Sequence, residues 1–146
     1  MSNSTRGSKD LMRAINYSII LNKIKDIGPV SRVKLAKITG LSAATVTGIT
    51  AKLIADDLIF EKETGDSSGG RRPILLALNP RGGYAVGIKL TENYLYGALV
   101  NFEGEVIEKQ NKAFVSRTPE LAVELIGELT EQLLENNQIS KEKLLG

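Results

Sequence analysis

Apolar residues recur at helical spacing in the first part of the chain and predict three helices. The first helix is expected over residues 10–27, because an apolar side chain recurs every three to four positions and Gly28 and Pro29 then end the pattern. The apolar positions of this helix are Leu11, Ile15, Ile19, Ile20, Ile24 and Ile27. Two shorter helices are predicted over 32–39 and 43–56, and each follows a serine that can cap it, Ser31 and Ser42.

A hairpin is predicted after the helices. The apolar runs 58–60 and 74–78 flank a polar stretch, residues 64–73, that is rich in glycine. Three helices followed by a hairpin is the element order of a winged helix-turn-helix domain. We therefore expect a flexible arm over 1–9, this domain over 10–81, and a boundary within residues 79–83.

The pattern changes in the second half of the chain. Residues 84–90, 94–101 and 105–114 are predicted to form three strands, followed by a helix that Thr118 caps and that has Pro119 at its first position. The apolar stripe of this helix comprises Leu121, Leu125, Leu129 and Leu133, with Ile126 beside it. Its opposite, glutamate-rich face is interpreted as solvated surface and not as a metal site.

Composition narrows the chemistry that the chain can perform. The 146 residues include neither cysteine nor histidine, which excludes disulfides, thiol catalysis and zinc sites built on sulfur or imidazole. We expect no enzymatic activity, no catalytic residue, no metal site and no cofactor. There is also no apolar run of membrane-spanning length and no signal-peptide core, so we expect no membrane association and a cytoplasmic location.

Charge is divided between the two halves of the chain. Residues 1–81 hold 13 of the 19 lysines and arginines but only 7 of the 17 acidic residues, whereas residues 82–146 are net acidic. A basic half joined to an acidic half indicates that only the first half meets a polyanion.

The second and third predicted helices have the features of a helix-turn-helix. Leu35 and Ile38 are predicted to face the core, and Gly40 supplies the left-handed conformation that a tight turn needs. On the third helix, three apolar residues are predicted to anchor it: Val46, Ile49 and Leu53.

The opposite side of the third helix is small, contains threonine and lacks acidic residues. Such a surface can approach base edges closely in the major groove. The glycines and arginines of the hairpin tip suit contact with phosphates or with the minor groove. The predicted DNA-binding residues are Ser31, Arg32, Ser42, Ala44, Thr45, Thr47, Gly48, Ala51, Lys52, Gly69, Gly70, Arg71 and Arg72.

Several segments resemble the ROK family (repressors, open reading frames and sugar kinases), and within it the branch of xylose-repressor-like regulators. They are Gly28–Arg32, Leu35–Lys37, Thr39–Ser42, Thr45–Thr47, Gly69–Pro73, Leu76–Pro80, Tyr84–Ile88, Gly97–Val100 and Gly104–Val106. The resemblance covers essentially the whole chain.

The resemblance implies an α+β protein in which residues 82–146 begin an actin-like, ribonuclease-H-like ATPase lobe. It also implies a repressor of a sugar utilisation operon, of the xylose type, that binds double-stranded operator DNA as a homodimer. The sugar effector would bind only to the full-length protein. Kinases of the family carry a glycine-containing phosphate loop after the first strand of the lobe, whereas residues 89–93 read Lys-Leu-Thr-Glu-Asn here.

Two alternatives remain open from the sequence. The first is a sugar kinase of the same family with a DNA-binding extension, which the residues at 89–93 argue against. The second is a naturally short protein that competes for operators or partners without sensing a sugar. The length of the open reading frame beyond Gly146 separates the second from the leading hypothesis.

Overall fold

The computed structural model describes residues 4–63, 73–114 and 118–146, with side chains from residue 9 onward. The chain forms two compact units, Met1–Asn79 and Pro80–Gly146. Both combine helices with antiparallel strands, so the fold is of the mixed α+β class. The division falls at Pro80, slightly before the predicted start of the second domain at residue 82.

The first unit contains three helices and a two-stranded sheet. The helices are α1 (Ser4–Ile27), α2 (Arg32–Thr39) and α3 (Ala43–Ala55), and the strands are β1 (Ile59–Glu63) and β2 (Ile74–Leu78). The strands pair antiparallel, with Ile59 opposite Leu78 and Glu63 opposite Ile74. Val30 pairs with β2 in an isolated antiparallel bridge, in which its backbone exchanges hydrogen bonds of 3.0 and 2.9 Å with Leu76.

Helix α1 differs from the prediction in two respects. It begins at Ser4, so residues 4–9, which were expected to be a flexible arm, continue the helix. Extending a helix that already exists needs no new nucleation, and this explains helical structure in a stretch of poor helix formers. Leu11, Ile15 and Ile19 are exposed, and the core contribution of α1 comes from Ile20 and Ile24.

The core of the first unit collects side chains from every element. Eight of its apolar residues are at most 1% exposed: Ile20, Ile24, Val30, Leu35, Val46, Leu53, Ile59 and Leu76. On α3, Thr50 is fully buried between Val46 and Leu53, in the role expected of Ile49, which is half-buried. The prediction for Ile38 is also wrong, since that side chain is 40% exposed.

The second unit is a three-stranded antiparallel meander with a helix. Its strands are β3 (Tyr84–Leu90), β4 (Tyr94–Asn101) and β5 (Val106–Ala113), and its helix is α4 (Pro119–Asn136). A short 3-10 turn, Lys141–Lys143, leads to a segment that lies parallel to β3. There the N–H of Leu145 donates to the carbonyl oxygen of Tyr84 at 2.8 Å, and the N–H of Val86 donates to that of Gly146 at 2.7 Å.

Helix α4 packs on one face of the meander. Leu95 and Leu99 of β4 meet Leu129, Leu133 and Leu134 of α4 in a buried cluster. The predicted stripe is therefore confirmed at Leu129 and Leu133, while Leu121 is 38% exposed. Thr118 occupies the N-cap position as predicted, but its side chain makes no capping hydrogen bond.

Within the described ranges, no single helix is long and apolar enough to cross a membrane. Helices α2 and α3 reach the length and apolar composition of a membrane span only when they are taken together. The chain bends by 119° at the break between them. The buried side of both helices belongs to the core of the first unit.

Candidate nucleic-acid interface

A three-residue turn sets the geometry of α2 and α3. Gly40 has φ 71°, in the left-handed region, and its N–H donates to the carbonyl oxygen of Ala36 at 3.0 Å. Leu41 follows, and Ser42 then caps α3 by accepting a hydrogen bond from the N–H of Thr45 at 3.1 Å. Helix α2 therefore ends and α3 begins within three residues. The turn needs a positive φ at position 40, which glycine adopts without strain.

The solvent side of α3 is made of small residues. Ala44, Thr47, Gly48 and Ala51 are all exposed, and we refer to these four residues as the small-residue face. A Cβ atom built on Gly48 would meet no atom within 4 Å. Packing inside the first unit therefore does not require glycine at this position. Glycine in a helix interior lowers stability by roughly 0.5–1 kcal/mol relative to alanine.

Three of the other predicted residues lie at helix N-termini with their hydroxyls engaged. The Oγ of Ser31 accepts a hydrogen bond from the N–H of Lys34 at 3.2 Å and so caps α2. The hydroxyls of Ser42 and Thr45 lie 2.9 Å apart and share a hydrogen bond. Ser31 and Thr45 are half-buried, whereas Ser42 is exposed beside the small-residue face.

Arg32, another predicted DNA-binding residue, makes two side-chain hydrogen bonds inside the first unit. Its Nε donates to Thr50 Oγ1 at 3.1 Å, and its Nη2 donates to Glu61 Oε1 at 2.7 Å. The guanidinium is therefore shared between α3 and β1, and the side chain is 28% exposed. The sequence signal that was missed is the threonine at a core position of α3, since a buried hydroxyl needs a partner.

Helices α1 and α3 also enclose an open groove of about 940 Å³ that the sequence did not predict. Met12, Asn16 and Tyr17 line it from α1, and Thr45 and Gly48 line it from α3. The groove thus borders one edge of the small-residue face. The sequence carries no signal for it, because the groove depends on how α1 and α3 pack against each other.

Lys52, at the edge of this groove, is held by two neighbours. Its ammonium group lies 3.4 Å from Asp56 Oδ2 and 5.9 Å from the centre of the Tyr17 ring. The side chain is still 67% exposed. The hydrogen bond from the Tyr17 hydroxyl is the largest of the effects that lower the pKa of Asp56, and Lys52 lowers it further.

The remaining predicted residues, Gly69, Gly70, Arg71 and Arg72, lie outside the residues that the structure describes. The two strands that lead to them, β1 and β2, are paired antiparallel as the sequence predicts. Contact between these four residues and DNA therefore stays a prediction.

The segment aligned with the kinase phosphate loop is a tight connection between β3 and β4. The N–H and the hydroxyl of Thr91 both donate to the carbonyl oxygen of Tyr94, at 2.9 and 2.8 Å. The Thr91 hydroxyl also accepts a hydrogen bond from the N–H of Tyr94 at 3.1 Å. The backbone amides of Thr91 and of Tyr94, the first residue of β4, are therefore both engaged within the turn itself.

Across the described ranges, no group of three or more acidic side chains is placed to hold a metal ion. Two of the acidic residues of α4 instead pair with lysines. Glu128 contacts Lys112 of β5, and Glu131 accepts a hydrogen bond from Lys141 at 2.6 Å. The acidic face of α4 is in part a set of surface ion pairs.

The described residues thus place two short helices, joined by a glycine-containing turn, beside a two-stranded antiparallel sheet. Several known proteins are similar to the chain in sequence. It is 33% identical to the xylose repressor of Bacillus spizizenii over 135 residues, which are 92% of this chain and 35% of that protein. It is 35% identical to the xylose repressor of Caldicellulosiruptor bescii over 141 residues, covering 96% and 35% of the two chains. The DNA-binding transcriptional dual regulator NagC of Escherichia coli is 31% identical over 112 residues, covering 77% and 28%.

The fold is similar to that of a solved ROK family transcriptional regulator, a homologue of the Escherichia coli MLC protein. The TM-score is 0.70 at 26% sequence identity, and the match covers 91% of this chain and 34% of that one. No family model matches the sequence. The chain is thus a homologue of proteins named xylose repressor and is similar to a ROK family transcriptional regulator, and it spans about a third of the length of the curated relatives it matches.

Proposed function

We propose that the first unit is a winged helix-turn-helix domain that binds double-stranded DNA. The bend of 119° between α2 and α3 and the glycine-containing turn are those of a helix-turn-helix, whose helices typically cross at about 90–120°. The antiparallel pair β1 and β2 follows α3 directly, where a wing is expected. In this proposal α3 enters the major groove and the hairpin lies beside it.

The observation that carries the proposal is the small-residue face. Most solvent-exposed helix faces carry long charged side chains, and α4 of this chain is one of them. On α3, by contrast, an exposed glycine with open space around it lies between Ala44, Thr47 and Ala51. This composition lets the helix backbone approach base edges, and it places no acid against the phosphates.

The names of the relatives support regulation as the role of DNA binding. Two are xylose repressors and one is described as a DNA-binding regulator. We propose that this chain acts in the cytoplasm as part of a repressor of a sugar utilisation operon, of the xylose type. Its relatives are about three times as long, so we assign the sugar effector site and the contacts of a homodimer to portions outside these 146 residues.

We further propose that residues 82–146 begin an actin-like lobe without ATPase or kinase activity. The parallel pairing of residues 144–146 with β3 supports the lobe, since such a sheet adds a parallel strand to its antiparallel meander. The Thr91–Tyr94 hydrogen bonds and the glutamate at position 92 weigh against phosphate binding at this end of the sheet. A sugar kinase of the same family is therefore the second candidate function, and no observation on the described residues favours it.

DNA binding is tested by fluorescence anisotropy of a labelled mixed-sequence duplex titrated with the protein over a range of salt concentrations. A winged helix-turn-helix domain is expected to bind at low salt, with a logarithmic slope of about −0.9 for each phosphate contact. Absence of binding at about 50 mM salt, or binding that does not depend on salt, contradicts the proposal.

A further inference from the structure

A chain of hydrogen bonds joins three elements of the first unit. It begins at Glu61 on β1, passes through the guanidinium of Arg32 on α2 and reaches the hydroxyl of Thr50 on α3. The Thr50 hydroxyl then donates to the carbonyl oxygen of Thr47 at 3.2 Å. Thr47 belongs to the small-residue face, so the network links a strand of the hairpin to the backbone of the face proposed to meet DNA.

The hydrogen bonds of this network matter for stability because Thr50 is fully buried. A buried hydroxyl without a partner destabilises the fold, and Arg32 supplies one of the two hydrogen bonds that Thr50 makes. The planar guanidinium can donate to Thr50 and to Glu61 at the same time, which the single nitrogen of a lysine side chain does less well. Arginine at this position is thus matched to two acceptors on different elements.

We propose that Arg32 is a positioning residue that does not itself contact DNA, and that its bridge to Glu61 fixes the hairpin relative to α3. This inference rests on the proposed DNA-binding function. It replaces the role that the sequence suggested for Arg32, which was a direct contact with DNA. It also gives Glu61 a role that is unexpected for an acidic residue in a domain that binds a polyanion.

A purely electrostatic role and a positioning role of Glu61 predict opposite changes in DNA affinity when this side chain is removed. Removal of a negative charge from a DNA-binding surface is expected to strengthen binding. If the bridge fixes the hairpin, its loss weakens binding instead, by about tenfold for a coupled side-chain network. Glu61→Gln removes the charge but keeps an oxygen that can accept from Arg32, whereas Glu61→Ala removes both.

The experiment measures binding of the labelled mixed-sequence duplex to four variants and to the unsubstituted protein. We expect Glu61→Ala and Arg32→Lys to bind about tenfold more weakly. Glu61→Gln should stay within about threefold of the unsubstituted protein, in keeping with the small net contribution of one exposed charge pair. The control is Asp26→Ala, which removes one exposed negative charge from α1 of the same unit, and it should bind as tightly as the unsubstituted protein or more tightly.

A direct DNA contact by Arg32 predicts a different pattern. Arg32→Lys would then retain most of its affinity, and Glu61→Ala and Glu61→Gln would both tighten binding, because each removes an acid that competes for the arginine. Equal behaviour of Glu61→Ala and Asp26→Ala would also overturn the inference.

A second measurement separates this inference from the proposed function. Amide hydrogen exchange of β1 and β2 is measured by NMR without DNA. We expect Glu61→Ala and Arg32→Lys to accelerate exchange in these strands relative to the α3 core, and Asp26→Ala to leave it unchanged. Failure of the unsubstituted protein to bind any duplex would refute the proposed function alone, whereas unchanged exchange in both bridge variants would refute the bridge.

Discussion

Tyr17 of α1 and Asp56 at the C-terminal end of α3 are joined by a hydrogen bond of 2.7 Å, from the tyrosine hydroxyl to Oδ2 of the carboxylate. The two residues are 39 positions apart in sequence. Burial raises the pKa of Tyr17 to about 12, and the hydrogen bond to Asp56 and the charge of that residue add to the effect. This contact ties the middle of α1 to the end of the helix that carries the small-residue face.

The Tyr17–Asp56 pair leads to a prediction about pH. Because the pKa of Tyr17 is raised by folding, the pair stabilises the fold fully below pH 10, and its contribution is lost as the pH rises towards 12. The absorbance of tyrosinate, measured against Tyr17→Phe, should therefore show one tyrosine that ionises near pH 12. In Asp56→Asn this ionisation should move towards lower pH but remain above 10, because the effect of burial persists. Ionisation of Tyr17 near pH 10 in the unsubstituted protein would show that neither the burial of this side chain nor its hydrogen bond to Asp56 persists in solution.

Glycine at position 97 is predicted to be required by packing. A Cβ atom there would lie 2.9 Å from a methyl group of Leu129 and 3.0 Å from one of Leu133, both in the buried cluster under α4. Gly97→Ala should therefore lower the free energy of unfolding by about 1–3 kcal/mol, as overpacking of a core does. The control is Gly87→Ala on the neighbouring strand, where a Cβ atom would lie 4.0 Å from its nearest neighbour and no loss is expected. Chemical denaturation of the two variants compares them, and equal stabilities would contradict the close packing of α4 on β4.

Much of the first unit could be predicted from the sequence because its local signals agree with one another. The caps at Ser31 and Ser42 and the left-handed Gly40 are found where the sequence indicates them. The side of a helix that is buried was harder to predict. The apolar stripe of α1 at Leu11, Ile15 and Ile19 follows the helical period, yet the buried side of the helix is the one that carries Ile20 and Ile24.

The site was predicted in outline but not in its internal contacts. Small residues on α3 could be assigned to one face from periodicity alone. The position of Arg32 could not, because its partners Thr50 and Glu61 lie 18 and 29 residues away and belong to different elements. From the sequence alone, a basic residue next to a helix-turn-helix suggests a contact with phosphate. The hydrogen bond from Arg32 to the buried hydroxyl of Thr50 becomes visible only in the structure.

Nucleotide binding is predicted to be absent. Two backbone amides of the β3–β4 connection are engaged by the Thr91–Tyr94 hydrogen bonds, and Glu92 adds a negative charge. Each hydrogen bond to a charged oxygen that is not formed costs about 1.5–3 kcal/mol of binding free energy. Calorimetry with MgATP, in the presence and in the absence of candidate sugars, is performed on the longest natural form of the protein and should show no heat of nucleotide binding. Micromolar affinity for ATP, or release of ADP that depends on a sugar, would favour the kinase alternative.

The hairpin tip is predicted to contact phosphates through Arg71 and Arg72. Replacing both with alanine should weaken binding to any duplex and make its salt dependence less steep, by about 0.9 in the log–log slope for each phosphate that the arginines no longer neutralise. A matched pair of basic residues in the second unit, Lys109 and Lys112, provides the control for removal of two charges, and its replacement should leave the slope unchanged. The same slope in the arginine double variant and in the unsubstituted protein would mean that the tip does not touch phosphate.

The central claim, that the small-residue face of α3 meets DNA, is tested most directly by substitution of Gly48. A duplex that binds tightly is first selected from a random pool with the unsubstituted protein, and binding and thermal melting are then measured for Gly48→Ala, Gly48→Gln and Gly48→Glu. The matched control is Gly127→Glu on α4, because this helical glycine also has open space around its Cβ position.

We expect Gly48→Ala to raise the free energy of unfolding by about 0.5–1 kcal/mol, because alanine is the better helix former. Gly48→Gln and Gly48→Glu should melt no lower than the unsubstituted protein, yet bind the selected duplex at least about tenfold more weakly, as expected for about 1–3 kcal/mol per disturbed base contact. Gly127→Glu should leave binding unchanged. Binding of Gly48→Gln and Gly48→Glu at the affinity of the unsubstituted protein, with intact melting curves, would contradict a DNA-facing role for this helix.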